Sequence, residues 1–473
     1  MRNESNLFKH TIIMTVVNLI MRSVSVSFNA YLTNKIGSAG IGIFQLVMSV
    51  YSLAVTFSSA GIKLASTRIT AQINATGRYD MNKSLGLCLS YAGFMGSLIG
   101  FLLLIFSDFI GVNWIGNIET SFPLKILALS LPFVAVSSSL GGYFNATDKT
   151  PQFSFIQMLE QGFKAALTVY LLNKTSAMST GYSVASIVAG MTAAEIFSFS
   201  LSLVYQKLTI EKKTNSPIVP LPKFLRITLP DAVGSCARSV FLTVEHLMIP
   251  KGFLKSGADS ETALSAYGCI HAMALPLLLY PCAIITSLAT LLIPDIAKKY
   301  EIGDKDGIDS CASRTIKRTA FYSILCAVCC YVFAPSLSNL VYKSDEAVMY
   351  IKILSPLVPV MYLDTVTDGL LKGLDKQIYS MHYNIIDSIL CVILVYFILP
   401  KYSVKGYIFI LYASEIINFF LSFNKLISIC NIRVFQAPSK DNSMFFRLKK
   451  CSVFRKEYGY QKYQDRKKHN QVL

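Results

Sequence analysis

The sequence predicts an all-α polytopic membrane protein, with about twelve transmembrane helices in two six-helix lobes of parallel topology. Its composition, its long apolar windows and an internal duplication lead to this prediction. The 473 residues are 53% hydrophobic and only 15% charged, and the mean hydropathy is +0.49. An ordinary soluble protein carries more charge and fewer apolar residues, so this composition indicates a bilayer environment.

Apolar windows of roughly 20 residues, the length that a helix needs to cross ~30 Å of hydrocarbon, recur along the whole chain. The ten-residue alternation of a membrane β-barrel is absent from them, which favours a helical bundle. The first window is too long for a removable signal peptide and lacks a small-residue cleavage site, so we expect it to be retained. The windows are residues 10–32, 40–62, 85–107, 122–145, 151–172, 180–205, 225–249, 267–293, 318–341, 348–371, 378–399 and 404–428.

Three sequence blocks occur twice in the same order. Six windows separate equivalent points, and an even number returns the chain to the same side of the membrane. The halves should therefore have parallel topology, related by a pseudo-twofold axis along the membrane normal, as in transporters that rock two lobes around a central substrate. The blocks are K-I-L-x4-P-x9-G-x5-D-K at 125–149 and 352–376, G-x-x-D-x-x-x-S at 77–84 and 303–310, and R-S-V at 22–24 and 238–240.

These repeats divide the chain into an N-terminal lobe (1–211), a hydrophilic linker (212–222), a C-terminal lobe (223–430) and a basic tail (431–473). Most Lys and Arg lie at the two termini and in loops on one face, so the positive-inside rule places both termini in the cytoplasm of a cell-membrane protein. The net charge of +17 follows from this topology and predicts no nucleic-acid partner. The tail either lies on anionic membrane lipids or is a disordered anchor.

The residues that metal sites and enzymes need are not arranged in recognisable motifs. None of the eleven cysteines stands in a loop pattern suited to zinc or to disulfides, and Cys326 and Cys329 fall in an apolar window. There is no glycine-rich phosphate loop, paired-His motif or nucleophile elbow. We therefore expect a monomer without catalytic residues, metal or cofactor, apart from coupling to Na⁺ or protons.

Several segments resemble a known family. They are G-I-G-I-F-Q-L from Gly40, Y-S-L-A-V-T-F-S-S-A-G-I at 51–62, G-Y-F-N-A-T-D-K-T-P at 142–151, and M-A-L-P-L-L-L-Y-P with S-L-A-T-L-L-I-P at 273–294. The chain is similar to the stage V sporulation protein B and polysaccharide biosynthesis flippases of the multidrug/oligosaccharidyl-lipid/polysaccharide exporter superfamily. The resemblance, over residues 8–430, implies a MATE-like fold and transport of lipid-linked saccharides.

Arg22 and its repeat mate Arg238 are the first candidates for substrate binding. Arg22 lies about 12 residues into the first window, roughly 18 Å deep. A charge at that depth costs roughly 2.5–3.5 kcal/mol and usually has a partner or faces water. Two arginines facing one cavity could present their planar forks to a diphosphate. The alternative is a structural ion pair between Arg238 and Glu245, two turns along the same helix.

Other polar residues of the windows are further candidates for substrate contact. Lys125 and Lys352 are repeat mates near the outer helix ends, where they contact the substrate or snorkel to the interface. His271 occupies the position that Gln45 has in the first half, and a helix–helix hydrogen bond is its simpler role. Tyr51, in a family-like segment, completes this group.

A second set of candidates is acidic. Asp364 and Asp368 lie one turn apart on the tenth window, and Asn384 and Asp387 lie at similar depth on the eleventh. Oxygen ligands on neighbouring helices suit Na⁺ or an exchangeable proton, although a helix-tethering hydrogen bond would explain Asp387 as well. The repeat mate of Asp387 is Glu160, which could instead pair with Lys164 one turn away. Glu245 belongs to the same ion-coupling set.

Prolines interrupt the eighth window. Pro276, Pro281 and Pro294 each remove an amide donor and leave a carbonyl group that needs another partner. A bent helix at the boundary between two lobes suits gating. Static kinks that serve only packing are the alternative.

Together these features favour a flippase that moves an undecaprenyl-diphosphate-linked oligosaccharide across the membrane by alternating access. It would serve cell-envelope, polysaccharide or spore cortex synthesis. The alternatives are a cation-coupled multidrug antiporter of the same fold, a membrane enzyme acting on lipid-linked glycans, and an assembly scaffold without transport activity. The arginines argue against the antiporter, and the short outer loops argue against the enzyme.

Overall fold

The described part of the chain is almost entirely helical. The computed structural model describes residues 2–147, 149–175, 179–209 and 217–430, with the side chains of 2–18, 75, 175, 230, 291 and 294 left out, and none of these residues lies in a strand. The first half contains α1 (Arg2–Ser59), α2 (Ile62–Thr76), α3 (Met81–Phe109), α4 (Ser121–Ala128), α5 (Leu131–Ala146), α6 (Thr150–Thr175) and α7 (Thr180–Thr209). The second half contains α8 (Leu221–Lys255), α9 (Ser260–Gly268), α10 (Leu275–Leu279), α11 (Cys282–Glu301), α12 (Lys305–Val332), α13 (Ala334–Val341), α14 (Asp345–Leu354), α15 (Val358–Gly373) and α16 (Gln377–Ile429).

Two of these helices are each a pair of membrane-length arms joined at one residue. In α1 the break is at Gly37, with φ 73° and ψ 175°, a conformation open to glycine because it has no Cβ. In α16 the break is at Ser403, with φ 48° and ψ −135°, which is a strained conformation for a residue that has a side chain. Both breaks coincide with gaps between predicted windows.

The predicted number of membrane crossings is confirmed within the described residues. Eight helical stretches are long and apolar enough to cross a membrane, and the bent pair of Ile118–Ala128 and Leu131–Ala146 makes a ninth. Two of the eight contain the breaks at Gly37 and Ser403 and so cross twice. With α6, a more polar helix of 26 residues, the described residues provide twelve crossings.

Helix ends that leave the apolar stretches are capped by side chains. Asp80 accepts a hydrogen bond from the Lys83 amide at 2.8 Å, which satisfies one of the free N–H groups at the start of α3. At the exposed start of α9, Asp259 accepts bonds from the hydroxyl and the amide of Thr262, at 2.6 and 3.1 Å. These two hydrogen bonds lower the pKa of Asp259, so this cap stays ionised at neutral pH.

Residues 1–430 form one compact unit, in which each half has its own helix packing. In the first half, α5 packs on α2 and α3, and α6 packs on α7; in the second, α15 packs on α11, α12 and α16, and α16 packs on α8. The halves meet where α1 contacts α8, α9 and α11. The tail at 431–473 lies outside the described residues, as do the linker residues up to 216.

One contact between the halves depends on glycine. A Cβ on Gly42 of α1 would collide with the carbonyl oxygen of Leu264, and a Cβ on Gly268 of α9 would collide with that of Ser38. Beside them Ser265 donates a hydrogen bond to Ser38 or to Glu346, whose oxygens lie 2.7 and 2.8 Å away. Small residues let backbones approach closely in membranes, and this approach joins the halves just after the break of α1 at Gly37.

We expect Gly268→Ala to destabilise the protein by about 1–3 kcal/mol, because the added methyl group forces α1 and α9 apart. Thermal unfolding of the purified protein in detergent measures the effect. The matched control is Gly162→Ala on α6, where a Cβ meets nothing within 4 Å; it should be neutral or slightly stabilising. Equal melting of both variants would contradict the close approach.

Candidate functional site

The predicted acidic residues of the second half come together at the meeting point of α15 and both arms of α16. Ser380 donates a hydrogen bond to Asp368 at 2.6 Å, and Ser414 of the second arm donates one to Asp387 of the first at 2.7 Å. Asn384 donates to the Ser380 carbonyl at 2.8 Å. Asp368 and Asp387 are therefore held by neutral hydroxyl donors, which do not compensate their charge.

Asp364 has the most incomplete set of partners. Asn418 donates a hydrogen bond to Asp364 Oδ2 at 3.3 Å. The other carboxylate oxygen, Oδ1, and the amide oxygen of Asn418 are both buried without a partner among the described residues. Buried acceptors of this kind normally have a donor, a water molecule or an ion. Two such oxygens, on side chains that are hydrogen-bonded to each other, are candidate ligands for a proton or a cation.

Arg238 is the cation of this acidic cluster, and it is held at some distance from the acids. Its Nη2 donates a long hydrogen bond of 3.4 Å to Asn384, and its charge acts on Asp364 and Asp387. Among the described residues no carboxylate lies within 4.0 Å of it. The ion pair with Glu245 that the sequence allowed is therefore not formed.

Charge is unbalanced in this cluster. Glu245 lies in the field of Asp387 and Glu415, and Asp364 lies in the field of Asp368, Asp387 and Glu415. One arginine thus faces five carboxyl groups. The members, which we call the C-lobe acidic cluster, are Arg238, Glu245, Asp364, Asp368, Asp387 and Glu415.

The repeat-related cluster of the first half has its own cation. Glu160 of α6 interacts with Ser198 of α7 and with Lys164, and Glu195 of α7 interacts with Glu160 and Lys164. No Glu160–Lys164 contact within 4.0 Å occurs in the described residues, so the predicted i,i+4 pair is not closed. The Lys164 ammonium lies instead 5.6 Å from the centre of the Phe28 ring.

Glu195, Glu415 and Asn418 are absent from the sequence prediction, although a signal for them exists. The pattern A-x-E-I-x-x-F-x-L-S occurs at 193–202 and again at 413–422, a shift of 220 residues. It makes Glu195 the mate of Glu415 and Ser198 the mate of Asn418. The shift differs from the 227 residues of the longer repeat, so a search at one fixed shift does not find it.

Arg22 lies at the boundary between the halves. It is half-buried on α1, its neighbour Ser23 shares a hydrogen bond of 2.7 Å with Tyr280, and its charge reaches Cys282 at the start of α11. It makes no hydrogen bond or ion pair with any side chain that the structure describes. An unpaired guanidinium group at this depth is available to an anion.

The outer lysines differ in their surroundings. Lys125 forms an ion pair of 2.8 Å with Asp108, and both side chains are exposed. Its repeat mate Lys352 is half-buried on α14. Lys125 therefore already has a partner within the protein, whereas the prediction of substrate contact needs no such partner. Substrate contact by the two lysines stays a prediction.

The aromatic and polar candidates lie within the halves. Tyr51 is buried and shares a hydrogen bond of 2.6 Å with Ser130, in the field of Glu195 and Glu160. His271 Nε2 shares one of 2.7 Å with Tyr407, the helix–helix bond that the sequence offered as its simpler role. Gln45 is half-buried. The substrate contacts of all three stay predictions.

The eighth crossing is segmented where the sequence has its prolines. After α9 comes a π-helical turn at Cys269–Ala274, then the short α10 with Pro276 in its first turn. Pro281 separates α10 from α11. Pro294 falls inside α11, and its side chain lies outside the described residues. The gating role of these prolines is a prediction that a single conformation does not test.

A metal site is not formed by the usual ligands. Among the residues that the structure describes, no group of three His, Cys, Asp or Glu side chains could hold a metal ion. A monovalent cation or a proton needs fewer protein carboxylates, so the unpartnered oxygens of Asp364 and Asn418 remain the relevant feature.

Comparisons with known proteins agree with this architecture. The model of the polysaccharide biosynthesis protein family matches residues 7–299, and the MatE model matches residues 253–397. Stage V sporulation protein B of Bacillus subtilis (strain 168) is 22% identical over 396 residues, which cover 82% of this chain and 76% of that protein.

Solved structures share the fold at low sequence identity. The lipid II flippase MurJ, in an inward closed conformation, has a TM-score of 0.67 at 15% identity, with 88% of this chain and 87% of MurJ covered. An inward-facing multidrug resistance MATE family transporter of the MOP superfamily has a TM-score of 0.66 at 12% identity, with 88% and 98% covered. The family model covers more than half of the chain and leads to one conclusion: the chain belongs to the polysaccharide biosynthesis protein family.

Proposed function

We propose that this protein flips a lipid-linked oligosaccharide of the undecaprenyl-diphosphate type across the cell membrane by alternating access. The observation that carries the proposal is Arg22, a guanidinium group at the boundary between the halves with no partner among the described side chains. A lipid diphosphate presents oxygens that accept two parallel N–H bonds from such a group. The names of the similar flippase and sporulation protein are consistent with such a substrate.

Arg238 would be the second phosphate ligand. Its bond to Asn384 is long, at 3.4 Å, and weak enough to be exchanged for a phosphate oxygen. Movement of Arg238 towards a substrate would remove from Asp364 and Asp387 the one cation among the described residues whose charge acts on them. Substrate binding and the charge of the C-lobe acidic cluster would then be linked.

This linkage supports ion coupling at the C-lobe acidic cluster. Five carboxyl groups and one arginine in a bilayer need additional positive charge, which Na⁺ or protons can supply. The unpartnered oxygens of Asp364 and Asn418 are suitable ligands. In the first half the Lys164 side chain supplies part of the positive charge that the carboxylates need. Its repeat mate in the second half is Cys391, which is neutral. We therefore assign cation coupling to the second half.

A multidrug antiporter is the second candidate, because the MatE model covers residues 253–397 and these include three of the six members of the C-lobe acidic cluster, Asp364, Asp368 and Asp387. The two functions would use the same cation site, but their substrates have opposite charge. An antiporter for organic cations gains nothing from an unpaired Arg22, whereas an anionic lipid headgroup does. The similar proteins are transporters, and we infer transport rather than catalysis on lipid-linked glycans.

Arg22→Ala and Arg238→Ala should each slow flipping of lipid-diphosphate saccharides in proteoliposomes by about tenfold to a hundredfold, the loss of one charge-assisted contact. Lys125→Gln is the matched control, since its ammonium is paired with Asp108 at 2.8 Å; its rate should stay within about twofold. Unchanged flipping by the double arginine variant would refute phosphate binding. Efflux of organic cations by that variant would favour the antiporter.

Transport should also depend on a Na⁺ or a pH gradient, and Asp364→Asn should remove that dependence because it deletes the charge beside Asn418. Glu160→Gln serves as the control, because it removes a carboxylate from the first half, to which we assign no cation coupling and where the charge of Lys164 acts on Glu160. The measurement is uptake into vesicles with each gradient imposed separately. Transport by the unmodified protein that is indifferent to both gradients would exclude coupling through this cluster.

A further inference from the structure

A groove between α11 and α12 opens sideways from the second half. Its volume is about 580 Å³, and its apolar wall includes Ile284, Leu288 and Leu292. Ile284 and Leu288 are 46% and 39% exposed, as expected for side chains that face lipid rather than protein. Tyr322 closes the inner end by donating a hydrogen bond of 3.2 Å to the Pro281 carbonyl.

Charged residues line the other end of the groove. Asp295 and Lys299 of α11 form an ion pair at 2.6 Å and neutralise each other. Arg314 and Arg318 of α12 lie one turn apart, line the groove and are exposed. Neither has a hydrogen bond or an ion pair with the described residues. The groove therefore carries two positive charges on its α12 side, without a partner among the described residues, and an apolar wall on its α11 side.

The dimensions match one half of a bilayer. Ile284 and Leu292 are eight residues apart along α11, which corresponds to about 12 Å, close to the ~15 Å of hydrocarbon in one leaflet. The arginines lie on α12 opposite the loop-side part of this wall, because Cys311 is 3.9 Å from Asp295 and Tyr322 reaches Pro281. Their long side chains tilt towards the helix N-terminus, and so towards the α11–α12 loop, which the positive-inside rule places in the cytoplasm. They are thus at the level of lipid phosphates.

We propose that this groove is a binding site for an anionic phospholipid of the leaflet on the α11–α12 loop side. The acyl chain lies along Ile284, Leu288 and Leu292, and the phosphate accepts hydrogen bonds from Arg314 and Arg318. Some lipid always fills a lateral groove, and the two free guanidinium groups select a negatively charged one. The site is separate from the one at Arg22 and does not depend on which substrate the protein carries.

Native mass spectrometry of the purified full-length protein tests the site with diphosphatidylglycerol and phosphatidylcholine as probes. Arg314→Gln with Arg318→Gln should weaken diphosphatidylglycerol binding about tenfold or more and leave phosphatidylcholine binding unchanged. The matched control is Lys298→Gln with Lys317→Gln, which removes the same charge from exposed positions of the same helices that do not line the groove. This control should bind like the unmodified protein.

Four outcomes would overturn the proposal. Equal binding by the arginine variant and the unmodified protein would remove the arginines from the site, and an equal loss in the lysine control would reduce the effect to general surface charge. Leu288→Trp, which fills the apolar part, should also weaken binding; full binding by this variant would place the lipid outside the groove. Displacement by an equimolar polyprenyl diphosphate would assign the groove to the transported lipid instead. Thermal unfolding of each variant checks that the fold is retained.

Discussion

The cost of holding charge in hydrocarbon organises this protein. Each half contains a carboxylate pair on its last two membrane crossings, Glu160 with Glu195 and Asp387 with Glu415, and each half compensates it differently. The positive charge of Lys164 acts on Glu160 and Glu195 in the first half. In the second half the positive charge that acts on Asp387 is that of Arg238, on another helix. A buried charge without a partner is expensive, which is the physical basis for proposing cation exchange in the second half and not in the first.

Duplication explains why the two clusters occupy equivalent places, and divergence explains why they differ. The change of Lys164 to Cys391 between mates removes a positive charge from the second half. The change of Ser198 to Asn418 adds an amide that reaches Asp364 and leaves its own oxygen unpartnered. A static scaffold would gain from pairing these groups. A transporter gains from leaving them to an ion, because binding then changes the balance between conformations.

The sequence was sufficient for the crossings and insufficient for the contacts. Hydropathy windows identify twelve crossings because each must be apolar over about 20 residues, and they separate the arms of α1 and α16 although the helix continues through most of each turn. The single repeat shift located Asp387 but missed Glu195 and Glu415. The pairing of Lys125 with Asp108, seventeen residues earlier, and the approach of Gly42 to Leu264 depend on helix packing, which no local pattern encodes.

Helix α11 connects the two sites that the structure separates. Its first residue, Cys282, lies in the field of Arg22 and contacts Thr365 of α15, beside Asp364, at 3.8 Å. Its outward face carries Ile284 and Leu288 into the lipid groove. The hydrogen bond from Tyr322 to the Pro281 carbonyl ties the groove's inner end to the break where this helix begins. A rearrangement of α11 therefore alters both environments together. Coupling between two sites is reciprocal. A lipid that binds one position of α11 more tightly therefore strengthens binding at Arg22 or Asp364 if the ligand there needs the same position, and weakens it if the ligand needs another.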